Sequence, residues 1–218
     1  MKPKVQRYFQ KTSQNFDAIY ASEKSLYQRL ADLLFHGVIE QRFKAAFAEL
    51  GDLRGKTLLD VGCGSGRYML EAARRGANRV VGLDFSQNML DLAQRHLKHE
   101  GYDKSSQLIN RDFLEFQDQN RYNFALAIGF FDYVAKPENY LIKMRQLTTE
   151  KIIASFPKKW TFRTLIRWVR LSVAGCPVYF YDRKRLTKLF KDTGLDSYEI
   201  INLSRDYLVV IRMERNTN

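Results

Sequence analysis

The stretch Leu58-Leu59-Asp60-Val61-Gly62-Cys63-Gly64-Ser65-Gly66 decides the fold. Its first half is a short apolar run broken by one acid, the pattern of a strand buried on both faces. Its second half places a glycine at every other position, with Cys63 and Ser65 between them. Glycines 62, 64 and 66 permit positive φ and let the backbone approach a ligand closely. A helical pattern starts at Arg67, so the loop ends at a helix N-terminus, where free N–H groups favour an anionic group such as a carboxylate. Dinucleotide-binding loops use the same device, but their GxGxxG spacing needs its third glycine at position 67, which is Arg67. The spacing here is GxGxG, preceded by Asp60.

Outward from the loop, strands and helices alternate. RVVGLDF (79–85) reads as a second strand, and Ser86 is expected to cap the helix after it. SQLINRDF (106–113) reads as a third strand, NFALAIGFF (123–131) as a fourth and KIIASFP (151–157) as a fifth, with a helix over 137–147 before the last. Short apolar strands separated by helices imply a parallel sheet covered on both faces. Upstream, residues 5–50 read as helical, with Leu26, Leu30, Leu33, Leu34 and Val38 near helical spacing. After Pro157 the alternation stops for about 25 residues, as long functional loops do. Within that gap, residues 160–173 read as an amphipathic helix. Phe162, Leu165, Ile166, Val169 and Val173 share one face, and Arg163, Arg167 and Arg170 a neighbouring one. RKRLTKLFKDTG forms a further helix ending at Gly194, and SYEIINLS and YLVVIRM read as two closing strands. The expected organisation is one domain: an N-terminal helical lid (1–54), a cofactor-binding core (55–157), a pocket-covering insertion (158–182), and a C-terminal helix with closing strands (183–218).

Asp84 ends the second strand beside the glycine loop, where one carboxylate can take both hydroxyls of a ribose. Asp112 ends the third, where it can accept from an adenine amino group, and Phe85, Met89 and Phe113 offer apolar surface to the ring. Three acids at the carboxyl ends of consecutive strands, gathered round a glycine loop, describe a nucleoside site at the edge of an α/β sheet.

This assembly closely resembles the class I S-adenosylmethionine-dependent methyltransferases over residues 57–214. The resemblance includes Tyr181-Asp182 before a helix, LFKDTGL at its end, and two final strands. It implies a Rossmann-like, seven-stranded, mostly parallel sheet with one antiparallel strand and helices on both faces, and S-adenosyl-L-methionine as cofactor. It further implies that Asp60 with Gly62, Cys63, Gly64, Ser65 and Gly66 holds the methionine end. Asp84 would hold the ribose, Asp112 with Phe113 the adenine, and Gly129 with Phe130 would flank the methionine moiety. A narrower similarity is to the magnesium-protoporphyrin O-methyltransferases. It lies in Tyr8-Phe9, in Phe16-Asp17-Ala18-Ile19-Tyr20, in the helical stretch with His36, and in IIASFPKKWTFRTLIRW (152–168). In that family the fourth strand ends near a Leu-Ile-His-Tyr run whose His is a candidate acid/base. Here Phe130-Phe131-Asp132-Tyr133 stands there, so the relation is taken as architectural and the substrate is not carried over.

Methyl transfer from a sulfonium is an in-line displacement governed by placement of the acceptor. An oxygen acceptor of high pKa also needs a base within reach. Asp132, just past the strand bordering the methyl, is the first candidate, followed by Tyr133, Tyr8, Tyr20 and His36. His96 and His99 fall on a helix expected to be remote from the site. The aromatic cluster Tyr8, Phe9, Phe16 and Tyr20 suits a lid over a cationic, reactive group. FFDYV is not the Asn/Asp-Pro-Pro-Tyr run with which amino-methylating DNA enzymes hold a flipped base. Neither Cys63 nor Cys176 stands in the Pro-Cys context of a cytosine C5 nucleophile. Only Asp132 offers a metal ligand near the fourth strand, so no metal is expected.

The net charge is +12, and its location matters more than its size. Residues 151–218 carry 14 basic and 6 acidic side chains, and between Lys158 and Lys191 ten basic residues face Asp182 alone. Such a patch suits an anionic partner. The expected acceptor is a small molecule, lipophilic or anionic, with peripheral membrane contact through 158–191. An RNA or tRNA methyltransferase is the second reading and a non-catalytic cofactor-binding partner subunit the third. Two cysteines without a CxxC pair, no apolar run of about 18 residues, and an opening MKPKVQRYFQ unlike a signal peptide together lead to a cytoplasmic expectation.

Overall fold

The computed structural model describes residues 26–159 and 176–214. Helix α1 (Leu26–Leu50) leads into a seven-stranded sheet: β1 (Thr57–Val61), β2 (Arg79–Asp84), β3 (Ser106–Asn110), β4 (Tyr122–Ala127), β5 (Thr148–Pro157), β6 (Tyr198–Asn202) and β7 (Asp206–Arg212). Helices α2 (Arg67–Arg74), α3 (Gln87–His99), α4 (Pro137–Leu147) and α5 (Arg183–Asp192) connect them. The strand order is β3-β2-β1-β4-β5-β7-β6. The sheet is parallel except for β7, which runs antiparallel to both β5 and β6. The seven-stranded, mostly parallel expectation therefore holds, with its single antiparallel strand.

Alternation along the strands feeds two cores, one on each face of the sheet. Leu59, Val61, Val81, Leu83, Ala125 and Ala127 enter one buried cluster with Leu141 and Met144 of α4. Leu58, Val80, Phe124 and Leu126 enter the other, with Phe47 and Leu50 of α1 and Met69 of α2. Because both faces are covered, the strands read as continuous apolar runs. Between β1 and β4 the order of strands reverses, and a crevice opens there at their carboxyl ends.

Several boundaries differ from expectation. β3 stops at Asn110 and β4 at Ala127, so Asp112, Gly129 and Phe130 sit in turns beyond the strands. β5 starts at Thr148, directly after α4, without a connecting loop. Ser86 occupies the N-cap position of α3 but makes no side-chain cap, and its buried hydroxyl has no partner among the described residues. Its backbone N–H instead donates to Asp84 Oδ1 at 2.8 Å, which orients this turn. By contrast, Asp182 caps α5 by accepting from the backbone N–H of Arg185 (2.8 Å). Among the described residues no helix is long and apolar enough to cross a membrane. Residues 1–25 and most of the insertion, including the amphipathic stretch 160–173, lie outside the described residues.

Candidate cofactor site

The glycine loop is tied to the end of β2. The N–H groups of Gly62 and Cys63 both donate to the Leu83 carbonyl, at 2.8 and 3.0 Å. The Gly64 N–H donates to Asp84 Oδ2 at 3.0 Å. Asp84 thus holds the loop with one oxygen and the start of α3 with the other. Each carboxylate oxygen keeps a further lone pair for a ligand, and the carboxylate lines the cleft. Glycines 62, 64 and 66 take φ of +74°, +52° and +76°, the left-handed region that side chains disfavour. At Gly62 a Cβ would lie 2.6 Å from Phe130 Cδ2, and at Gly66 2.9 Å from Ala93 Cβ. These two glycines admit close neighbours as well as an unusual backbone.

Six of the expected residues line one cleft: Gly62, Asp84, Phe85, Asp112, Phe113 and Phe130. Arg111 and Tyr140, which no sequence motif marks, line it too. Tyr140 lies on α4, where a tyrosine on the buried stripe with Leu141, Met144 and Leu147 reads as core. Its ring stacks on Phe113 (centroids 6.3 Å apart, 21° between planes) and meets Phe130 edge-on at 5.2 Å. Burial, with the charge and hydrogen bond of Asp112, pushes the Tyr140 hydroxyl up to about 12, so it remains a donor to that carboxylate. Asp112 also accepts from the Leu114 N–H (3.0 Å). The residue that does end β3, Asn110, donates from Nδ2 to the Asp84 carbonyl at 3.2 Å.

Other expected residues stand behind the cleft. Met89 is buried in α3 and does not line it. Cys63 is buried with its thiol pushed up by burial, and a Cβ on Gly82 would lie 2.9 Å from its sulfur, so it packs the loop onto β2. Ser65 presents its carbonyl 3.2 Å from Nδ1 of His96. His96 is therefore not remote but sits against the glycine loop. Asp60 is almost wholly buried, and its Oδ2 has no hydrogen-bond partner among the described residues. Burial, then the charge of Asp84, pushes its carboxyl up to about 7. A buried carboxylate oxygen left without a donor is costly unless a ligand supplies one, and the open-backbone glycines lie next to it. The residues present fit the methionine and adenosine parts of S-adenosylmethionine.

Past β4 the chain turns at Gly129 (φ +73°), whose N–H donates to Ser155 Oγ at 2.7 Å. Asp132 faces inward. Its side chain is 1% exposed, 3.8 Å from the Arg42 guanidinium, and its carbonyl accepts from the Tyr179 N–H (2.8 Å). Tyr133 is half-buried and packs with Phe85 against Cys176. The return limb of the insertion, residues 176–181, thereby reaches the cleft, and at its end Tyr181 accepts from the Lys159 N–H (2.9 Å) and donates its own N–H to the Pro157 carbonyl (2.8 Å). Tyr8 and Tyr20 lie outside the described residues, as does the side chain of His36 on α1. Among the described residues no cluster of His, Cys, Asp or Glu could hold a metal ion.

Residues 58–151 match the methyltransferase domain family. Over 111 residues the chain is 29% identical to tRNA U34 carboxymethyltransferase of Haemophilus influenzae (strain PittEE), covering 48% of this chain and 35% of that protein. Over 91 residues it is 31% identical to ubiquinone biosynthesis O-methyltransferase of Aeromonas salmonicida (strain A449), covering 42% and 38%. The chain thus spans little more than a third of the length of these curated relatives. In fold it resembles magnesium protoporphyrin IX methyltransferase of Synechocystis PCC 6803 with bound S-adenosylhomocysteine. The TM-score is 0.75 at 18% identity, covering 96% of this chain and 98% of that one. Residues 58–151 thus carry a methyltransferase domain, and sheet order and loop geometry give the chain the fold of the class I S-adenosylmethionine-dependent methyltransferases, with an architecture similar to that of the magnesium protoporphyrin IX enzyme.

Proposed function

We propose that this protein transfers a methyl group from S-adenosylmethionine to an oxygen of a small-molecule acceptor, without a metal. The observation that carries the reading is that Phe85, which lines the cleft, packs with Tyr133 and Val178 against the buried Cys176, an apolar wall beside the cleft that suits an apolar acceptor. When bound, the cofactor supplies a methyl already activated on a sulfonium. The chain's part is to bind, orient and exclude water. Asp60 and the 62–66 loop would hold the amino-acid end, Asp84 the ribose, and Asp112 with Phe113 the adenine. Tyr133, which packs in that wall, is an acid/base candidate among the described residues. Tyr8, Tyr20 and His36 would reach the acceptor from a lid formed by the N-terminal segment. Asp132, buried against Arg42, is better placed to fix the turn than to take a proton. Incubation with methyl-labelled cofactor tests the acceptor class, using a panel of lipophilic phenols and unmodified tRNA. Label in the small-molecule fraction is expected, and label that enters RNA and is released by nuclease would overturn the reading.

The tRNA reading is the alternative. It is favoured by the exposed basic face of α5, where Arg183, Lys184, Lys188 and Lys191 line one surface with Asp192. In the leading reading that face, together with 158–182, contacts anionic lipid from the cytoplasm. Binding to anionic vesicles that weakens with salt is then expected.

Asp60 gives a pH signature. An unfolded aspartate ionises near 3.9, whereas burial, then the charge of Asp84, pushes this one up to about 7. The folded chain therefore keeps a proton that the unfolded chain loses. Its contribution to stability is full below about 4 and is lost as the pH rises through about 7. A cationic amine brought by the ligand favours the charged carboxylate. S-adenosylhomocysteine affinity should accordingly rise between pH 5.5 and 7.5, with proton release seen as a buffer-dependent heat at pH 6. Asp60→Asn should bind more weakly and lose that dependence. A flat wild-type profile would separate Asp60 from the ligand.

A further inference from the structure

We propose that Arg42 is a positioning residue that braces the turn after β4 and so sets the place of Phe130 in the cofactor cleft. Arg42 lies on α1, outside every motif of the glycine-loop site. Its guanidinium forms a two-pronged bond with Asp206 at the start of β7, Nε to Oδ2 at 2.7 Å and Nη2 to Oδ1 at 2.6 Å. Both groups are sequestered, with 12% and 1% of their side chains exposed. Such a fork fixes the guanidinium in plane and position. A second tie lies beside it, where Ser204 Oγ donates to Gln41 Oε1 at 2.7 Å. The arginine is therefore anchored to the sheet before it meets the site.

From that anchor it touches both ends of one turn. A Cβ on Gly129 would lie 3.3 Å from Nη1, so the guanidinium packs directly beside this glycine's backbone. Nη2 lies 3.8 Å from Asp132 Oδ2. Phe130 stands between these two contacts. Its ring lies over Gly62, lines the cleft and meets Tyr140 edge-on. A rigid brace on residues 129 and 132 leaves the backbone carrying Phe130 little freedom. Removing it lets the ring wander and raises the entropy that binding must remove.

The inference rests on the cleft being the cofactor site, and the test separates the two. S-adenosylhomocysteine is titrated into wild type, Arg42→Lys, Phe130→Ala and the double variant, with thermal unfolding of each as a parallel measurement. Lysine keeps the charge but cannot make the fork. Arg42→Lys is expected to weaken binding about tenfold, at a temperature where it is fully folded. The double variant should bind no more weakly than Phe130→Ala, because the brace acts through that ring. If Arg42→Lys does not fold, Arg42→Gln with Asp206→Asn, a neutral hydrogen-bonded pair, replaces it on the same scale. Wild-type affinity in the brace variant, or losses that multiply in the double variant, would overturn the proposal. Absence of binding to the wild type would instead overturn the cofactor site itself.

Discussion

Replacing Asp84 by alanine is expected to weaken S-adenosylhomocysteine binding roughly ten- to hundredfold, the equivalent of about 1.5–3 kcal/mol for hydrogen bonds to a charged group. Two losses combine. The ribose hydroxyls lose their shared acceptor, and the Gly64 and Ser86 N–H groups lose the carboxylate that ties the glycine loop to the start of α3. Asparagine separates them in part. It can still accept one of the two backbone bonds, but it sets an NH₂ where an acceptor stood. Asp84→Asn should therefore fall between wild type and alanine in thermal stability while losing most of the affinity. Calorimetric titration of the three proteins decides it, and an unchanged dissociation constant in the alanine protein would remove Asp84 from the site.

Gly66→Ala should cost about 2–4 kcal/mol of stability, because two penalties fall on one atom. The backbone there has φ +76°, and the new methyl would lie 2.9 Å from the Ala93 Cβ and 3.3 Å from its Cα. Ala93 is fully buried in α3, so neither helix can yield without moving the core. The Gly66 carbonyl also accepts the bond from the Leu70 N–H (2.9 Å) that begins α2, so the disturbance reaches the N-terminus of that helix. Urea unfolding of Gly66→Ala, Ala93→Gly and the pair measures the coupling between them. A favourable coupling beyond about 0.5 kcal/mol is expected, since glycine at 93 removes the obstacle but leaves the backbone strain. Strict additivity would show that Ala93 is not the obstacle.

What the sequence revealed of this molecule was local. The alternating glycines after a buried strand fixed the loop, and the strand-end acid at 84 fixed one side of the cleft, because both depend on neighbours a few residues away. Asp112 was found but misplaced. A strand read to 113 stops at Asn110, since period-two patterning cannot tell a strand's last pair from the extended turn after it. Ser86 had the right position for a cap, but an aspartate two residues earlier satisfied the turn first. Tyr140 and His96 were passed over because their partners come from other elements: Asp112 and the rings of Phe113 and Phe130 for the first, the Ser65 carbonyl for the second. Arg42 was the least legible. Its main partner, Asp206, is 164 residues away along the chain, and only the closing of the sheet brings the two together.

A crystal structure of the wild-type protein with S-adenosylhomocysteine tests the central claim most directly. The account predicts both ribose hydroxyls donating to Asp84, the adenine between Phe85 and Phe113 with its amino group toward Asp112, and the ligand's amine within hydrogen-bond reach of Asp60. A ligand bound elsewhere, or one in the cleft with its ribose turned away from Asp84, would contradict it.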